Sequence, residues 1–458
     1  MASRVRIGIL GAGTVGGAVH DLIVDGHLAR FGVEAEVVKV FTRSPESKPR
    51  YRVSPELFTT DAAAVTGHPD VDIVVEVLGA GGPEDLSAQK EWVVDALRNS
   101  KSVVTANKAL LVAHGEEIWA AARECGREVR FEACVGGGIP IIGPLTQSLS
   151  AERPAAVYGL LNGTSNYILT EMSQRGRSYE DALASAQALG YAEADPDADV
   201  SGRDAEAKLL LLSSITFGMR LQPGVIHRKG IERLHAIDFL YAERKGRSTI
   251  KSVALARNAG GALEAMVTPM MVPERHPIAG IDGVTNALFF KGQVSDGGAP
   301  DANDWDYVFA GPGAGGGATA VAVLGDVHAL VASSGDTPFL PVESIVPGVD
   351  AVRSEDDLRA SFYVRFVVRD QSGIVGELCQ IFGDKQINVS EIWQLEHGAE
   401  ELESLVGTGK GGAAPEELLP FVITLEETSV GQLRQALERI VQKDFVLAEP
   451  LWLPIWKA

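Results

Sequence analysis

The first 135 residues alternate short apolar runs with longer amphipathic stretches. The apolar runs are rich in β-branched residues and predict strands, whereas apolar positions three or four residues apart in the longer stretches predict helices. The predicted strands span residues 5–10, 36–41, 72–77, 102–105 and 128–132, and the predicted helices span 13–25, 86–99 and 110–125. Strands that alternate with helices are typical of a doubly wound parallel sheet, so we predict an α/β, Rossmann-type domain over residues 1–135.

The pattern changes twice further along the chain. Residues 136–331 mix strands and helices and predict an α+β domain, whose last helix we expect to return to the first domain. Residues 332–359 contain Pro, Gly and Ser without periodicity, as in a linker. Residues 360–450 predict the order βαββαβ, followed by a tail at 451–458. The helices predicted after residue 136 span 178–189, 202–217, 318–331, 373–382 and 430–442, the strands lie within 253–272 and at 362–368, 387–396, 421–426 and 445–448, and a hairpin loop spans 407–412.

The composition narrows the class of protein. A formal net charge of -20 argues against nucleic acid and anionic membranes as partners. Three cysteines are too few for a disulfide framework and fit a reducing compartment. The N-terminus lacks the charged region of a signal peptide, and the apolar stretch 209–217 is far shorter than a membrane span. We therefore expect a cytoplasmic protein that acts on a small molecule.

A glycine-rich turn follows the first predicted strand. Gly11, Gly13 and Gly16 form the pattern G-x-G-x-x-G, with Thr14 and Val15 inside it. In a βαβ unit the first glycine makes a tight turn, the second lets the backbone approach a pyrophosphate, and the third lets helix and strand pack closely. The N-terminus of the following helix offers free N–H groups to the phosphates. The turn therefore predicts a dinucleotide site, and a purely structural turn is the alternative.

The end of the second predicted strand indicates which nucleotide binds. NAD enzymes usually carry Asp or Glu there to hold the ribose hydroxyls, whereas this chain has Arg43. The planar guanidinium matches the oxygens of a ribose 2′-phosphate. The residue favours NADP(H) over NAD(H), and the alternative is that Arg43 is an ordinary solvated loop residue.

Two lysines are candidates for chemistry at a carbonyl group. Lys108 follows the predicted strand 102–105 at the carboxyl edge of the sheet, where such sheets bind ligands. Lys208 lies four residues after Asp204 in a predicted helix, so both side chains share one face beside an acid-rich loop and an apolar run. Partial burial in general prepares a lysine to donate a proton to a carbonyl oxygen as hydride arrives at carbon. The alternatives are a surface lysine at position 108 and a solvated Asp204–Lys208 ion pair.

Several segments resemble the characteristic blocks of one enzyme family. In addition to the acid-rich segment GYAEADPDADVSGRDAEAK, they are TANKALLVAHG, FEACVGGGIPII, GLLNGTSNYILTEM, HPIAGIDGVTNALFFKG and GPGAGGGATA. Because six blocks in this order are very specific, the chain resembles homoserine dehydrogenases along nearly its whole length. That family reversibly reduces L-aspartate 4-semialdehyde to L-homoserine on the route to threonine and methionine. The resemblance implies that residues 136–331 form a catalytic and dimerisation domain and that the protein assembles as a homodimer or homotetramer.

The resemblance also implies a role for each matching residue. It makes Lys208 the proton donor, places Lys108 between nicotinamide and substrate, and makes Asp204 a further catalytic residue. The substrate-binding residues would be Glu193, Asp204, Asp199, Asn162, Gly163 and Thr164. The cofactor-binding residues would be Gly11, Gly13, Thr14, Val15, Gly16, Arg43, Thr105, Lys108, Gly190, Gly313 and Gly315. A sodium ion, held largely by backbone oxygens, would lie at Glu132, Val135, Gly137 and Ile139. The alternative for that last segment is a glycine-rich turn that binds nothing.

Residues 360–450 resemble an ACT domain, a module that binds small amino acids at the turn between its first strand and first helix. That turn spans residues 369–373 here, which implies Asp370 and Gly373 as effector contacts. The family suggests threonine as a feedback inhibitor. The alternative is an oligomerising module without a ligand.

Two other functions fit parts of the pattern. A phosphorylating aldehyde dehydrogenase of similar architecture would need an activated cysteine, for which Cys134 is the candidate. The second alternative is a non-catalytic amino-acid sensor, in which a dehydrogenase fold without activity serves the ACT module. The presence of Lys108, Glu193, Asp204 and Lys208 argues against the sensor.

Overall fold

The computed structural model of the chain describes residues 3–45, 51–79, 81, 83–293, 304–333, 346–347, 352–396 and 417–457. Its internal contacts divide the chain into two units. Unit 1 comprises Met1–Val157, Ala207–Pro223 and Asn286–Val349, and unit 2 comprises Tyr158–Glu206, Gly224–Thr285 and Asp350–Ala458. The hairpin loop predicted at 407–412 lies outside the described residues.

The elements are numbered in chain order. The strands are β1 Ser3–Leu10, β2 Val33–Phe41, β3 Phe58–Thr59, β4 Ile73–Glu76, β5 Ser102–Thr105, β6 Val129–Arg130, β7 Arg153–Leu160, β8 Met219–Arg220, β9 His227–Arg228, β10 Ser248–Ala259, β11 Ala262–Pro273, β12 Thr285–Gln293, β13 Asp304–Pro312, β14 Val346–Pro347, β15 Arg359–Arg369, β16 Val389–Trp393, β17 Leu418–Ser429 and β18 Leu451–Ile455. The helices are α1 Thr14–Val24, α2 Ala63–Thr66, α3 Pro83–Arg98, α4 Lys108–Glu124, α5 Ile142–Thr146, α6 Gly163–Arg175, α7 Tyr179–Ala188, α8 Asp197–Val200, α9 Arg203–Phe217, α10 Ala236–Arg244, α11 Gly316–Ala332, α12 Ile374–Asp384 and α13 Val430–Ile440. Within the described ranges, none of these helices combines the length and the apolar character that a bilayer span requires.

Unit 1 contains a parallel sheet with the strand order β3-β2-β1-β4-β5-β6, which confirms the predicted doubly wound α/β domain. Ile7, Ile9, Val74 and Val104 have no exposed surface, as expected when helices cover both faces of a parallel sheet. The order reverses between β1 and β4. In such sheets the ligand crevice lies at the carboxyl ends of the two strands that flank this reversal.

Helix α11 joins the core of this sheet. Ala320, Val323 and Val327 of α11 belong to one buried cluster with Val19 and Ile23 of α1. The helix that follows the second glycine-rich turn therefore packs beside the helix that follows the first.

Unit 2 is built on the antiparallel hairpin β10–β11, and its strands follow the order β10-β11-β18-β15-β17-β16. The elements β15-α12-β16-β17-α13-β18, which we call the C-terminal module, follow the predicted βαββαβ order. Leu169 of α6 and Tyr241 of α10 share one buried cluster with Tyr363 and Val422 of the module. The module and the helices of unit 2 therefore have a common core.

The last strand is where the prediction is wrong. Residues 445–448 form a single bridge, between Val368 and Val446, whereas β18 pairs with β11 and with β15. Residues 451–455 are consequently a strand and not a tail. Phe445 and Leu447 are buried, as they would be in a strand. An apolar connection that lies against a core has the same local sequence pattern as a strand, which explains the wrong prediction.

Candidate active site

The first glycine turn has the geometry of a phosphate-binding turn. Gly11 has φ +115°, and a Cβ there would lie 2.8 Å from the carbonyl oxygen of Val77. A Cβ on Gly16 would lie 1.8 Å from the carbonyl oxygen of Gly11, so helix and strand approach too closely for any other residue. A Cβ on Gly13 would meet nothing within 4 Å, which leaves open space before the N-terminus of α1. The turn therefore fits the phosphates of a dinucleotide.

The second glycine turn lies directly against the first. A Cβ on Gly316 would stand 2.7 Å from Cγ2 of Thr14, and a Cβ on Gly137 would stand 2.6 Å from the carbonyl oxygen of Gly313. The second turn, which contains the predicted residues Gly313 and Gly315, thus contacts Thr14 through Gly316 and the predicted Gly137 through Gly313. Asn286, which the sequence analysis missed, packs its buried side chain on Gly313, and among the described residues neither polar atom of its amide has a hydrogen-bond partner.

Arg43 lies at the end of β2, where the sequence places it, and its guanidinium pairs with Asp85 of α3 at 2.7 Å. The side chain of Arg43 is 61% exposed. An exposed ion pair contributes little stability, so this pairing would not prevent Arg43 from turning to a phosphate.

Buried polar side chains join the carboxyl ends of β4 and β5. Glu76 accepts hydrogen bonds from Thr105 Oγ1 at 2.5 Å, Leu78 N at 3.0 Å and Asn107 Nδ2 at 3.5 Å. Burial raises the pKa of Glu76 to about 7, against the lowering effect of these hydrogen bonds. The Thr105 hydroxyl is therefore engaged inside the protein. Sequence reasoning missed Glu76, and the signal that could have found it is a carboxylate that ends an apolar strand.

Lys108 is the first residue of α4 and is half-buried. Asn107 caps this helix, since its Oδ1 accepts from Leu110 N at 3.1 Å. The cap determines where the helix begins, and it thereby places Lys108 at the carboxyl edge of the sheet, as predicted.

Cys134 does not have the properties of a nucleophile. It is buried, its Sγ donates to the carbonyl oxygen of Thr105 at 3.4 Å, and burial raises the pKa of its thiol well above the usual value. A catalytic cysteine needs the opposite shift, because the thiolate is the reactive form. The environment of Cys134 therefore argues against the alternative function of a phosphorylating aldehyde dehydrogenase.

Glu132 is used as a structural cap. Its carboxylate accepts the backbone N–H groups of Ile141, Ile142 and Gly143 at 2.5, 2.8 and 2.7 Å. Three of the roughly four acceptor sites of this carboxylate are thus used inside the protein, which favours the backbone oxygens of the predicted sodium segment as cation ligands. Among the described residues, no cluster of three or more His, Cys, Asp or Glu side chains could bind a metal.

Unit 2 assembles most of the predicted substrate residues around Asn162. The side chain of Asn162 donates to Asp199 Oδ1 at 2.7 Å and to Asp204 Oδ2 at 3.0 Å, and its oxygen caps α6 by accepting from Ser165 N at 2.8 Å. Gly163 and Thr164 form the first turn of that helix. Carboxylates attract an ammonium group by charge, so this cluster is a candidate contact for the ammonium group of a substrate.

Glu193 and Gly190 lie in the loop that follows α7. Glu193 is exposed, and its carbonyl oxygen accepts from Gln187 Nε2 at 3.1 Å. Gly190 has φ +75° just beyond the end of α7. The hydrogen bonds that join Asn162, Asp199 and Asp204 do not include the Glu193 carboxylate.

Lys208 lies on α9, four residues after Asp204, as predicted. This helix begins in unit 2 and continues into unit 1 from Ala207. Lys208 is 8% exposed, which confirms the expected burial. The residue as a whole therefore has little contact with bulk water.

The predicted effector turn joins β15 to α12. Gly373 has φ +93° at the N-cap of α12, and Asp370 N donates to the carbonyl oxygen of Glu417 at 2.9 Å. Asp370 and Gly373 are both exposed.

Comparisons with known proteins agree with this geometry. The profile described as "Homoserine dehydrogenase" matches residues 140–328, and the profile described as "Homoserine dehydrogenase, NAD binding domain" matches residues 11–132. The homoserine dehydrogenase of Synechocystis is 37% identical over 456 residues, which cover 97% of this chain and 98% of the relative. The chain belongs to the homoserine dehydrogenase family.

Solved structures of homoserine dehydrogenases share the fold. That of Thiobacillus denitrificans is 32% identical with a TM-score of 0.82, and 99% of each chain is covered. A hyperthermophilic archaeal homoserine dehydrogenase, solved in complex with NADPH, is 26% identical with a TM-score of 0.56, over 71% of this chain and 96% of that one. The protein is therefore an NAD(P)-dependent oxidoreductase that acts on a CH–OH group, and its N-terminal parallel sheet is the NAD-binding domain.

Proposed function

We propose that the protein reduces L-aspartate 4-semialdehyde to L-homoserine reversibly, with NADPH, in the synthesis of threonine and methionine. The observation that carries the proposal is the cluster of Asn162, Asp199 and Asp204 at the start of a helix that also bears the buried Lys208. Bound NADPH supplies the hydride that reaches C4 of the aldehyde. Lys208 gives the carbonyl oxygen its proton, and Lys108 polarises the same carbonyl group. The two carboxylates hold the substrate ammonium group, with Glu193 in the adjacent loop.

Substitution of Lys208 tests this assignment. Lys208→Ala should lower kcat for NADPH oxidation by at least about 100-fold, because general acid catalysis usually contributes a factor of that size, while NADPH binding persists. The matched control is Lys443→Ala, since Lys443 is a surface lysine paired with Glu377 in unit 2. Normal turnover of Lys208→Ala with aspartate semialdehyde would show that the proton comes from another group.

NADP(H) is the proposed cofactor, and Arg43 is proposed to bind the 2′-phosphate after releasing Asp85. Its support is the guanidinium at the end of β2 and the NADPH complex of the archaeal relative. Arg43→Ala should raise the KM for NADPH about tenfold or more and leave the KM for NADH unchanged. Arg52→Ala, which removes a similar exposed ion pair to Asp25, is the control. Equal effects on both nucleotides would refute the role of Arg43.

The C-terminal module is proposed to be an ACT domain that binds threonine at residues 369–373 and inhibits the enzyme. Its support is the βαββαβ order and the exposed turn with Asp370 and Gly373. Asp370→Ala should abolish inhibition by threonine without a change in kcat. Absence of inhibition by threonine in the unmodified enzyme would favour the alternative of an oligomerising module.

Three further proposals accompany the activity. They are a backbone-bound sodium ion at Glu132, Val135, Gly137 and Ile139, a homodimer or homotetramer, and a cytoplasmic location. Activity measured in sodium-free and sodium-containing buffer, together with the mass of the particle in solution, tests the first two.

A further inference from the structure

Glu76 is a buried carboxyl group at the end of β4, and the chemistry proposed above does not use it. Its side chain has no exposed surface. In the described part of the chain, its polar contacts are the Leu78 N–H group, the Thr105 hydroxyl and the Asn107 amide, all of them neutral donors. An ionisable group buried among neutral partners is unfavourable for folding, so a functional reason for its retention is expected.

Hydrogen bonds extend from Glu76 to two segments at the carboxyl edge of the sheet. The first is the loop 77–79, in which Leu78 N is held by Glu76 and the Gly79 oxygen accepts from Gln89 Nε2 at 2.8 Å. The second is the start of α4, where Asn107 Nδ2 donates to Gln89 Oε1 at 2.8 Å. Loop 77–79 and the start of α4 are therefore tied to each other through Glu76 and Gln89.

These two segments lie on one side of the nucleotide site. The oxygen of Val77 closely approaches Gly11 of the first glycine turn, and Lys108 begins α4. Arg43, at the proposed ribose phosphate, stands at the end of β2 on the other side of β1 in the strand order. Since the phosphates occupy the turn after β1, the nicotinamide half belongs at the ends of β4 and β5.

We infer that Glu76 is a positioning residue for the dinucleotide: its ionised carboxylate draws loop 77–79 and the start of α4 together and so shapes the part of the site that receives the nicotinamide half. The inference deepens the proposed function and rests on the placement of nicotinamide beside Lys108.

The protonation state of Glu76 decides whether this network is complete. The ionised form accepts all three donors. In the protonated form one oxygen carries a hydrogen. If that hydrogen faces Thr105, Oγ1 accepts it beside Asn107 N at 3.0 Å, and the Thr105 hydroxyl no longer donates to Glu76; if it faces Leu78, the Leu78 N–H group loses its acceptor. Because burial raises the pKa of Glu76 to about 7, the network is complete above that pH and incomplete below it.

Other titratable groups surround this region. One is the Cys134 thiol, whose pKa is raised first by burial and further by the charge of Glu76. Lys108 lowers the pKa of the same thiol, whereas Asp326 and Glu132 raise it. The thiol stays neutral over the pH range in which Glu76 titrates. The change of charge in this range is therefore that of Glu76.

Stability and nucleotide affinity should then respond to pH in opposite directions. The folded pKa of about 7 lies above the ordinary value of 4.5, so the folded state binds more protons and loses stability as pH rises between these values. The same ionisation completes the network that receives the nucleotide. A group with a purely structural role would change stability with pH in the same way and leave the nucleotide affinity unchanged.

The test compares Glu76→Gln with the unmodified enzyme from pH 5.5 to 8.5. Glutamine keeps the shape of the side chain but cannot ionise, so the variant should fold. At pH 8 its Kd for NADPH should be about tenfold weaker, whereas its Kd for 2′-phospho-ADP-ribose, which lacks nicotinamide, should stay within about twofold. In the unmodified enzyme the Kd for NADPH should weaken as pH falls from 8 to 6, and in the variant it should not change. The Tm of the variant relative to the unmodified enzyme should rise with pH.

The matched control is Glu171→Gln, which alters a buried carboxylate that is paired with Arg175 and Arg177. It should lose stability at pH 8 and keep its Kd for NADPH. The inference is overturned if Glu76→Gln binds NADPH normally at pH 8, or if its Tm and its affinity for both nucleotides fall together. Since these measurements use binding and unfolding, a failure of the proposed catalytic roles would appear separately, in turnover.

Discussion

Asn162 Nδ2 lies 3.0 Å from Asp204 Oδ2, although 42 positions separate the two residues in the chain. The same amide group donates to Asp199, and the oxygen of this side chain caps α6. One side chain therefore orders two carboxylates and determines where a helix begins.

Removal of this side chain should affect both substrate binding and stability. In Asn162→Ala the carboxylates of Asp199 and Asp204 lose their shared donor, so the KM for homoserine should rise about tenfold. Loss of the cap should cost about 1 kcal/mol and lower Tm by a few degrees. Steady-state kinetics and thermal unfolding measure the two effects.

Ser178→Ala is the control for this variant, because Ser178 caps α7 by accepting from Asp181 N at 3.1 Å. It should lower Tm similarly and leave the KM for homoserine unchanged. If the KM for homoserine were unchanged in both variants, Asp199 and Asp204 would not be substrate-binding residues.

Cys134 should be dispensable for turnover. Its thiol is buried with a raised pKa, so Cys134→Ser should retain NADPH oxidation with aspartate semialdehyde. At pH 8, iodoacetamide should modify the half-buried Cys125 before Cys134, as followed by mass spectrometry of the native protein. If iodoacetamide labelled Cys134 rapidly and activity were lost, the result would support the alternative function of a phosphorylating aldehyde dehydrogenase.

Lys229 should destabilise the protein near neutral pH. Its amine lies over the ring of Trp452, and burial lowers its pKa to about 6. Below that pH the amine is charged in both states, and the unfolded state keeps its proton up to about pH 10.5. The folded state therefore gains stability as pH rises between these values.

Lys229→Met should accordingly raise Tm at pH 6 to 7, and the gain should shrink towards pH 10. Thermal unfolding across this range tests the prediction, with Lys443→Met on the surface as the control. A gain that does not depend on pH would mean that packing, and not the charge, causes it.

Asn166 should hold the loop 281–285 in place and thereby stabilise the folded protein. Its amide donates to the carbonyl oxygens of Ile281, Gly283 and Thr285 at 3.0 to 3.2 Å, and its oxygen accepts from Lys251 Nζ at 3.3 Å. Asn166→Ala leaves three partly buried carbonyl groups and the buried Lys251 without that partner and should cost about 2–3 kcal/mol in denaturant unfolding. Gln174→Ala, which removes an exposed bond to Asp282, should cost less than about 1 kcal/mol. If both variants lost a similar free energy of unfolding, the burial of the Asn166 hydrogen bonds would not explain their contribution to stability.

The elements that the sequence predicted well are those with a local signature. The strands of the parallel sheet, helix α4 and the turn from Gly11 to Gly16 could be read from periodicity and from glycine spacing. In the C-terminal module the order of elements was correct, whereas the last strand was placed at 445–448. Apolar residues at 445–448 and at 451–455 look alike locally, and only pairing with β11 and β15 distinguishes them.

By itself the sequence determined the doubly wound sheet, the nucleotide turn and the spacing of Asp204 and Lys208, because each depends on residues close together in the chain. Only the tertiary structure decided that Asn162 joins Asp199 and Asp204, that Arg43 meets Asp85, and that Glu76 is buried among neutral donors. The physical reason is that burial and hydrogen bonding depend on neighbours in space, which are brought together by strand order and helix packing and leave no period in the sequence.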